Sequence, residues 1–300
     1  MKTKGFIALL LSAIIFASFG IWVRLLNQTL LPFQQIGFRN FIALIIALGI
    51  IFKTKPSLKA LHQVKPVWLG LYSISFTLAV VFYTLAILQT KIVTTIFALY
   101  LGSLVFSLIL GVIFFKEKLN LIKILSLILV FIGLVVYAAP NLSGFLSIGT
   151  GLALLSGFFD AIANSMRKFL SNKLPKIVLV VLQMLAGLAI ATVLVAWNGQ
   201  FNLPALSLQT WLVGLIFGLS LVGISYLTLI GFSNFDLNLG TVVLASELFF
   251  ASIFSFIVFH EISSSYELLG GAIIILATFC AQLEPAKVSN WFNPLLTQKT

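Results

Sequence analysis

Apolar residues run along this chain in stretches of about 20, parted by short breaks that hold Lys, Asn and Pro. Ten stretches can be marked, roughly 5–26, 31–52, 67–88, 92–115, 121–139, 147–169, 176–197, 210–232, 238–259 and 266–283. A helix needs about 20 apolar residues to cross the hydrocarbon core of a bilayer. The pattern therefore predicts ten transmembrane helices, with breaks such as Lys53 to Pro66 and Asn198 to Ser207 outside the membrane. The strands of a membrane barrel would be about ten residues long with alternating polarity. These runs are twice that length and apolar on all sides. The expected fold class is an all-α integral membrane protein, with no soluble domain.

A second pattern lies over the first. An offset of 144 residues superimposes the two halves without a gap. It pairs Glu117 with Glu261, Gly5 with Gly149, Ser12 with Ser156, Gly70 with Gly214 and Thr84 with Thr228. Apolar matches carry little weight in so apolar a chain, so the polar and glycine matches are the informative ones. Each copy holds five spans, an odd number, so the second copy enters the membrane from the opposite side. The expectation is an inverted repeat, the architecture of many secondary transporters. The copies are read as 1–139 and 147–283, joined by a turn-rich linker at 140–146. A polar tail at 284–300 follows, with Trp291 and Phe292 at the interface.

Composition agrees. The chain is 61% hydrophobic and 8% charged, against about 25% charged in soluble domains. The net charge of +11 is not a nucleic-acid signature, because its distribution follows the topology. Fifteen Lys and Arg fall in one set of loops and tails, and two, Arg24 and Lys91, in the other. The positive-inside rule then places both termini in the cytoplasm. The location expected is a bacterial-type inner membrane. The first 20 residues imitate a secretion signal, but apolar character continues to Leu26 and the offset matches this segment to the sixth span, so it reads as part of the body. Cys280 is the only cysteine, which makes no intrachain disulfide and no metal site. Asn27-Gln28-Thr29 and Asn141-Leu142-Ser143 match the glycosylation sequon, which matters only in a secretory-pathway membrane.

Candidate chemistry follows from three ionisable residues within the spans. Such groups cost about 2.5–3.5 kcal/mol each at midspan and persist when paired or facing an aqueous cavity. They are Arg39 in the second span, Asp160 in the sixth and Glu247 in the ninth. Arg39 either attracts a carboxylate or other anionic group of a substrate, or serves as a structural clamp. Glu247 either binds an amine or exchanges a proton, or pairs with Arg39. Asp160, Asn164 and Arg167 are spaced to share one helix face, as a cavity lining or as a polar seam. Tyr100, Ser103, Ser107 and Gly111 also share one face. Shifted by 144 they become Leu244, Glu247, Ala251 and Ser255, so both faces are small or polar. Such a face suits a water-filled path or close packing, and Glu247 favours the path. Tyr72, Ser75, Tyr83, Gln89, Ser225 and Tyr226 are weaker lining candidates. The stripe Gly149, Ala153, Gly157, Ala161 and Ser165, and the pair Gly214 and Gly218, read as close helix contacts. Trp22 and Trp68 read as interface anchors, and Glu117 and Glu261 as structural span-end residues that cap the next helix.

Enzyme readings find little support. His260-Glu261 lacks the second His of a zinc metalloprotease motif, Gly149-Thr150-Gly151 lacks the third glycine of a dinucleotide site, and no phosphate-binding loop occurs. No cofactor is expected, and energy would come from a gradient, an exchange partner or a separate subunit.

In several of these features the chain resembles the EamA-like branch of the drug/metabolite transporter superfamily, over essentially its whole length. Each copy ends with an apolar span, a terminal Glu (Lys116-Glu117 and His260-Glu261), a short link and a glycine-bearing last span (Gly133; Gly270-Gly271). Arg39 follows Pro32 in the second span, and Glu247 lies where the family often has Glu-Pro. The family's prolines in spans four and nine are replaced by Leu104 and Leu248, which removes the usual reason for a break there. The resemblance implies a ten-helix inverted-repeat bundle that moves small metabolites, often outward. The expected function is a secondary transporter, by alternating access, of small organic metabolites such as amino acids. Protons are a candidate coupling ion at Glu247 or Asp160, and the expected partners are a small-molecule substrate and membrane lipids. A non-transporting accessory subunit is the alternative.

Overall fold

A computed structural model describes residues 2–140, 147–202, 204–260 and 264–283. The linker 141–146, Glu261, the Asn141 sequon and the tail 284–300 lie outside the described residues. Described regular structure is helical throughout, with no strand. Backbone polar groups inside lipid must be satisfied within the chain, and a helix does this locally.

Among the described residues, ten spans are built from twelve α-helices. The first span is α1 (Lys2–Ala17) and α2 (Phe19–Asn27). Then come α3 (Pro32–Thr54), α4 (Pro66–Gln89), α5 (Ile92–Phe115) and α6 (Leu121–Ala138). The second copy holds α7 (Ile148–Leu170), α8 (Lys176–Trp197) and α9 (Leu208–Asn234). Its ninth span is α10 (Leu237–Leu244) and α11 (Glu247–Phe259), and α12 (Ser265–Gln282) is the last. Nine spans are long and apolar enough to cross a membrane by length and composition alone. The other, α7, is long enough but carries Asp160, Asn164, Arg167 and Lys168.

The packing obeys the repeat. α7 lies along α4 and α5, and its counterpart α1 lies along α9 and against α10 and α11. α3 packs on α9 as α8 packs on α4. Three contacts join a span to its own counterpart: α3 with α8, α5 with α10, and α6 with α12. This is a two-fold arrangement of antiparallel copies, an inverted repeat. Even the turns match. Lys116 and His260, one offset apart, end their spans in the left-handed conformation with φ of 51° and 54°. Asn120 and Ser264 then cap the next helices, accepting from the backbone N–H of Lys123 and Glu267.

Two spans break where no proline stands. Ser18 and Ser246 each donate their hydroxyl to the carbonyl three residues back, Ile15 and Val243. Around Ser246 the backbone tightens to the same spacing, with Ser246 N–H on Val243, Leu248 N–H on Ala245 and Phe249 N–H on Ser246. A short 3₁₀ turn within an α-helix often marks a hinge. The ninth span therefore breaks at Ser246 despite Leu248, while the fourth, α5, runs unbroken. Trp22 does not simply anchor an interface, since its indole N–H donates to Ser18 Oγ at the other break.

Glycine sets how closely α5 and α7 approach. A Cβ on Gly157 would clash with the carbonyl of Leu99 and stand 2.7 Å from the Ser103 nitrogen, and one on Gly102 would stand 2.8 Å from the Leu154 carbonyl. These are backbone atoms and cannot step aside. The crossing places Ser103 on Asp160. Gly157→Ala is expected to lower stability by about 2–3 kcal/mol through overpacking, read as melting in detergent. Gly151→Ala, with open space around it, is the control that leaves melting unchanged.

Candidate substrate chamber

Four of the seven residues singled out from sequence line one chamber at the centre of the bundle. Arg39 enters it from α3, Tyr100 from α5, Asp160 from α7 and Glu247 from the first turn of α11. The remaining wall is Tyr83, Ser156 and a set of apolar side chains led by Phe16, Phe19, Phe76, Leu99 and Leu244. Both copies contribute. The cavity measures about 30 Å³, enough for a water molecule and far too small for a metabolite.

Glu247 is 2% exposed and accepts a 2.5 Å hydrogen bond from the Tyr100 hydroxyl. Asp160 Oδ2 accepts from Ser103 Oγ at 2.7 Å and from Asn164 Nδ2 at 2.8 Å, and its Oδ1 lies 3.9 Å from Arg167 Nη1. Arg39, 1% exposed, donates from Nη2 to Thr84 Oγ1 at 2.9 Å and lies 4.7 Å from the centre of the Phe217 ring. No ion pair joins Arg39 to Glu247 or Asp160 among the described residues. Arg39 Nε and the Tyr83 hydroxyl are buried without a hydrogen-bond partner among the described residues. An unmet buried polar group costs about 1–3 kcal/mol, and both belong to residues of the chamber wall.

Ser103, Asn164 and Ser107 stand outside the lining. Ser103 and Asn164 fix the Asp160 carboxylate. Ser107 accepts from Thr241 Oγ1 at 3.1 Å and ties α5 to α10. Farther along, a Cβ on Gly111 would stand 2.6 Å from Asn238 Oδ1. The face Tyr100–Ser103–Ser107–Gly111 is thus a packed seam for three of its four members, with only Tyr100 reaching the chamber. Small residues there let α10 close on α5. Gly214 and Gly218 do the same for α9, facing Phe38 and Ile42 of α3.

Sequence reasoning passed over the aromatic wall and Ser156. Phe16, Phe19 and Phe76 are three of 29 phenylalanines, and no spacing distinguishes them. Ser156 carried one signal, its match to Ser12. Its hydroxyl donates across to the Ala79 carbonyl at 2.8 Å.

Near one end of the bundle an ion cluster spans the copies. Glu117, at the end of α5, accepts from Lys168 Nζ at 2.5 Å and lies 4.0 Å from Lys123 Nζ. It does not cap the next helix. Its carboxylate instead accepts from the backbone N–H groups of Leu237 and Asn238, at 2.7 and 3.3 Å, and caps α10 of the other copy. Asp236 completes the cluster, 2.9 Å from Lys123 and 3.7 Å from Lys168. Burial alone would raise the Asp236 carboxyl, but the Lys123 hydrogen bond and the nearby lysine charges hold it below its ordinary value.

A sequence profile described as "EamA-like transporter family" matches residues 3–139 and again residues 147–282. The chain belongs to the EamA-like transporter family. It is therefore a multi-pass membrane protein of the drug/metabolite transporter superfamily. A solved structure described only as "Crystal structure of protein" superimposes with a TM-score of 0.75. That match covers 96% of this chain and 99% of the other at 16% identity, so it speaks for the fold alone. Comparison with curated proteins gives no match. Within the family fold, the chamber lies where the two copies meet, the usual place for a substrate site in transporters built on inverted repeats.

Proposed function

We propose that this chain is a secondary transporter for small amphiphilic metabolites that carry both an amine and a carboxylate, with apolar amino acids foremost. The observation that supports this is the chamber itself. Two carboxylates, Asp160 and Glu247, and one guanidinium, Arg39, face a space otherwise walled by Tyr83, Tyr100, Ser156 and Phe, Leu, Ala and Val side chains. A zwitterion with an apolar side chain meets all three demands: ammonium toward the acids, carboxylate toward Arg39 Nε, hydrocarbon against the rings. The small volume fits a solute that enters when the copies move apart, which is alternating access. The basic end then faces the cytoplasm of a bacterial-type cell, by the charge asymmetry, and both termini with it. Export is the direction carried over from the family resemblance, and a proton taken up at Glu247 or Asp160 is the proposed coupling ion.

Reconstituted vesicles loaded with leucine test the reading by counterflow of labelled leucine. Uptake is expected above that of empty vesicles. Competition by isocaproate, which lacks the amine, and by isoamylamine, which lacks the carboxylate, is expected to be weaker than by leucine itself. Arg39→Gln is expected to raise the leucine KM about tenfold or more, since hydrogen bonds to charged groups contribute about 1.5–3 kcal/mol. Absence of counterflow for leucine and other apolar amino acids would sink the proposal.

A further inference from the structure

Arg167 lies outside the chamber lining, on the same helix as Asp160 and two turns nearer the basic end. It is 1% exposed. Its Nη1 donates to Asn164 Oδ1 and faces Asp160. Its guanidinium carbon lies 4.9 Å from the centre of the Phe76 ring. Among the described residues, Nε and Nη2 have no aligned hydrogen-bond partner. These two nitrogens form one edge of the guanidinium plane, the edge that grips a carboxylate with two parallel hydrogen bonds. A clamp on Asp160 accounts for Nη1, and among the described residues no carboxylate is bonded to the other edge.

The surroundings fit a transient anion. Tyr72 brings its hydroxyl up against the Arg167 guanidinium and donates it to Gln183 Oε1 at 2.7 Å, and Gln183 Nε2 donates to Ser225 Oγ at 2.6 Å. This polar wall brings no second carboxylate to compete for the open edge. Arg39 supplies a parallel. It too lies over a phenylalanine ring, bonds a neutral side chain and keeps an unmet N–H. The two arginines occupy opposite halves of the bundle, Arg39 toward the start of α3 and Arg167 toward the basic end of α7. Phe76 belongs to both places, lining the chamber and lying beneath Arg167.

We propose that Arg167 is a second site for the carboxylate of the solute, engaged when the chamber opens toward the basic end, with Phe76 as the partition between the two. The inference rests on the carboxylate-bearing solute proposed above. Physically, a carboxylate leaving Arg39 for the basic end would be an unpaired charge in a low-dielectric path, at a penalty of several kcal/mol. A second guanidinium along the way removes that barrier.

The test uses the whole protein in inside-out and right-side-out vesicles. Phenylglyoxal, which modifies arginine, is added from outside, and the Arg167 peptide is read by mass spectrometry. Modification is expected in only one vesicle orientation. There, isocaproate slows it several-fold and isoamylamine does not. Arg167→Lys, which keeps the charge and loses the fork, is expected to raise the leucine KM about tenfold more from that face than from the opposite one. Failure of isocaproate to protect, or a KM change equal on both faces, would overturn the inference. The two proposals fail separately. Protection by isocaproate without leucine counterflow keeps Arg167 as an anion site and removes the amino-acid reading. Counterflow without protection keeps that reading and removes the second site.

Discussion

Glu247→Gln is expected to lower leucine counterflow about ten- to a hundredfold and to abolish its dependence on a proton gradient. The amide is nearly the size of the carboxylate and can still accept from Tyr100, so the fold and the break before α11 are kept. It carries no charge for an ammonium and cannot bind and release a proton. A hydrogen bond to a charged group contributes about 1.5–3 kcal/mol, which sets the range. Tyr100→Phe is the milder companion. It removes the 2.5 Å donor to Glu247 while leaving the carboxylate in place. Glu247→Gln vesicles that transport at the wild-type rate, with the same response to an imposed pH gradient, would remove Glu247 from both solute binding and coupling.

Glu117→Ala is expected to have the largest effect on stability. The substitution uncaps α10 at two backbone N–H groups and leaves Lys123 and Lys168 with Asp236 alone. Removing one member of a buried charge cluster costs about 3–5 kcal/mol, and screening of the partly exposed Lys168 favours the lower figure. Melting in detergent measures the loss. A second readout separates a gate from a mere staple. Cysteines placed at the basic end on a Cys280→Ser background are expected to react faster with water-soluble reagents in Glu117→Gln than in wild type, because the cluster joins the two copies. The Asp236 part of the cluster has a definite sign with pH. Its carboxyl is lowered in the folded protein, so its contribution is fully present above the ordinary value of 3.8 and is lost only as pH falls through the lowered one. Equal melting of Asp236→Asn and wild type at neutral pH would refute that part.

The fold was legible because lipid leaves few options. An apolar run of 20 residues can only be a helix, and the offset that pairs Glu117 with Glu261 already carries the antiparallel packing of the copies. The site was half legible. Arg39, Asp160 and Glu247 stood out as charges within spans, and all three line the chamber. Their partners did not, because contacts such as Arg39 with Thr84 or Tyr100 with Glu247 join residues 45 and 147 positions apart. Glu117 shows the same limit. Its sequence neighbourhood pointed to the next helix, yet that helix is capped by Asn120, and the carboxylate serves α10 instead. The polar face of α5 misled for a different reason. Small residues look alike whether water or a neighbouring helix fills the space beside them.

The serine breaks have one more consequence. A proline bend is covalent and permanent, since the ring removes a donor for good. At Ser18 and Ser246 every backbone N–H is still present, and the break is marked by a hydroxyl bonded to the carbonyl three residues back and a tightened turn. Nothing covalent therefore stands against either break closing into continuous helix. The first and ninth spans pack on each other, so a turn that tightens or relaxes in one alters the contact it makes with the other.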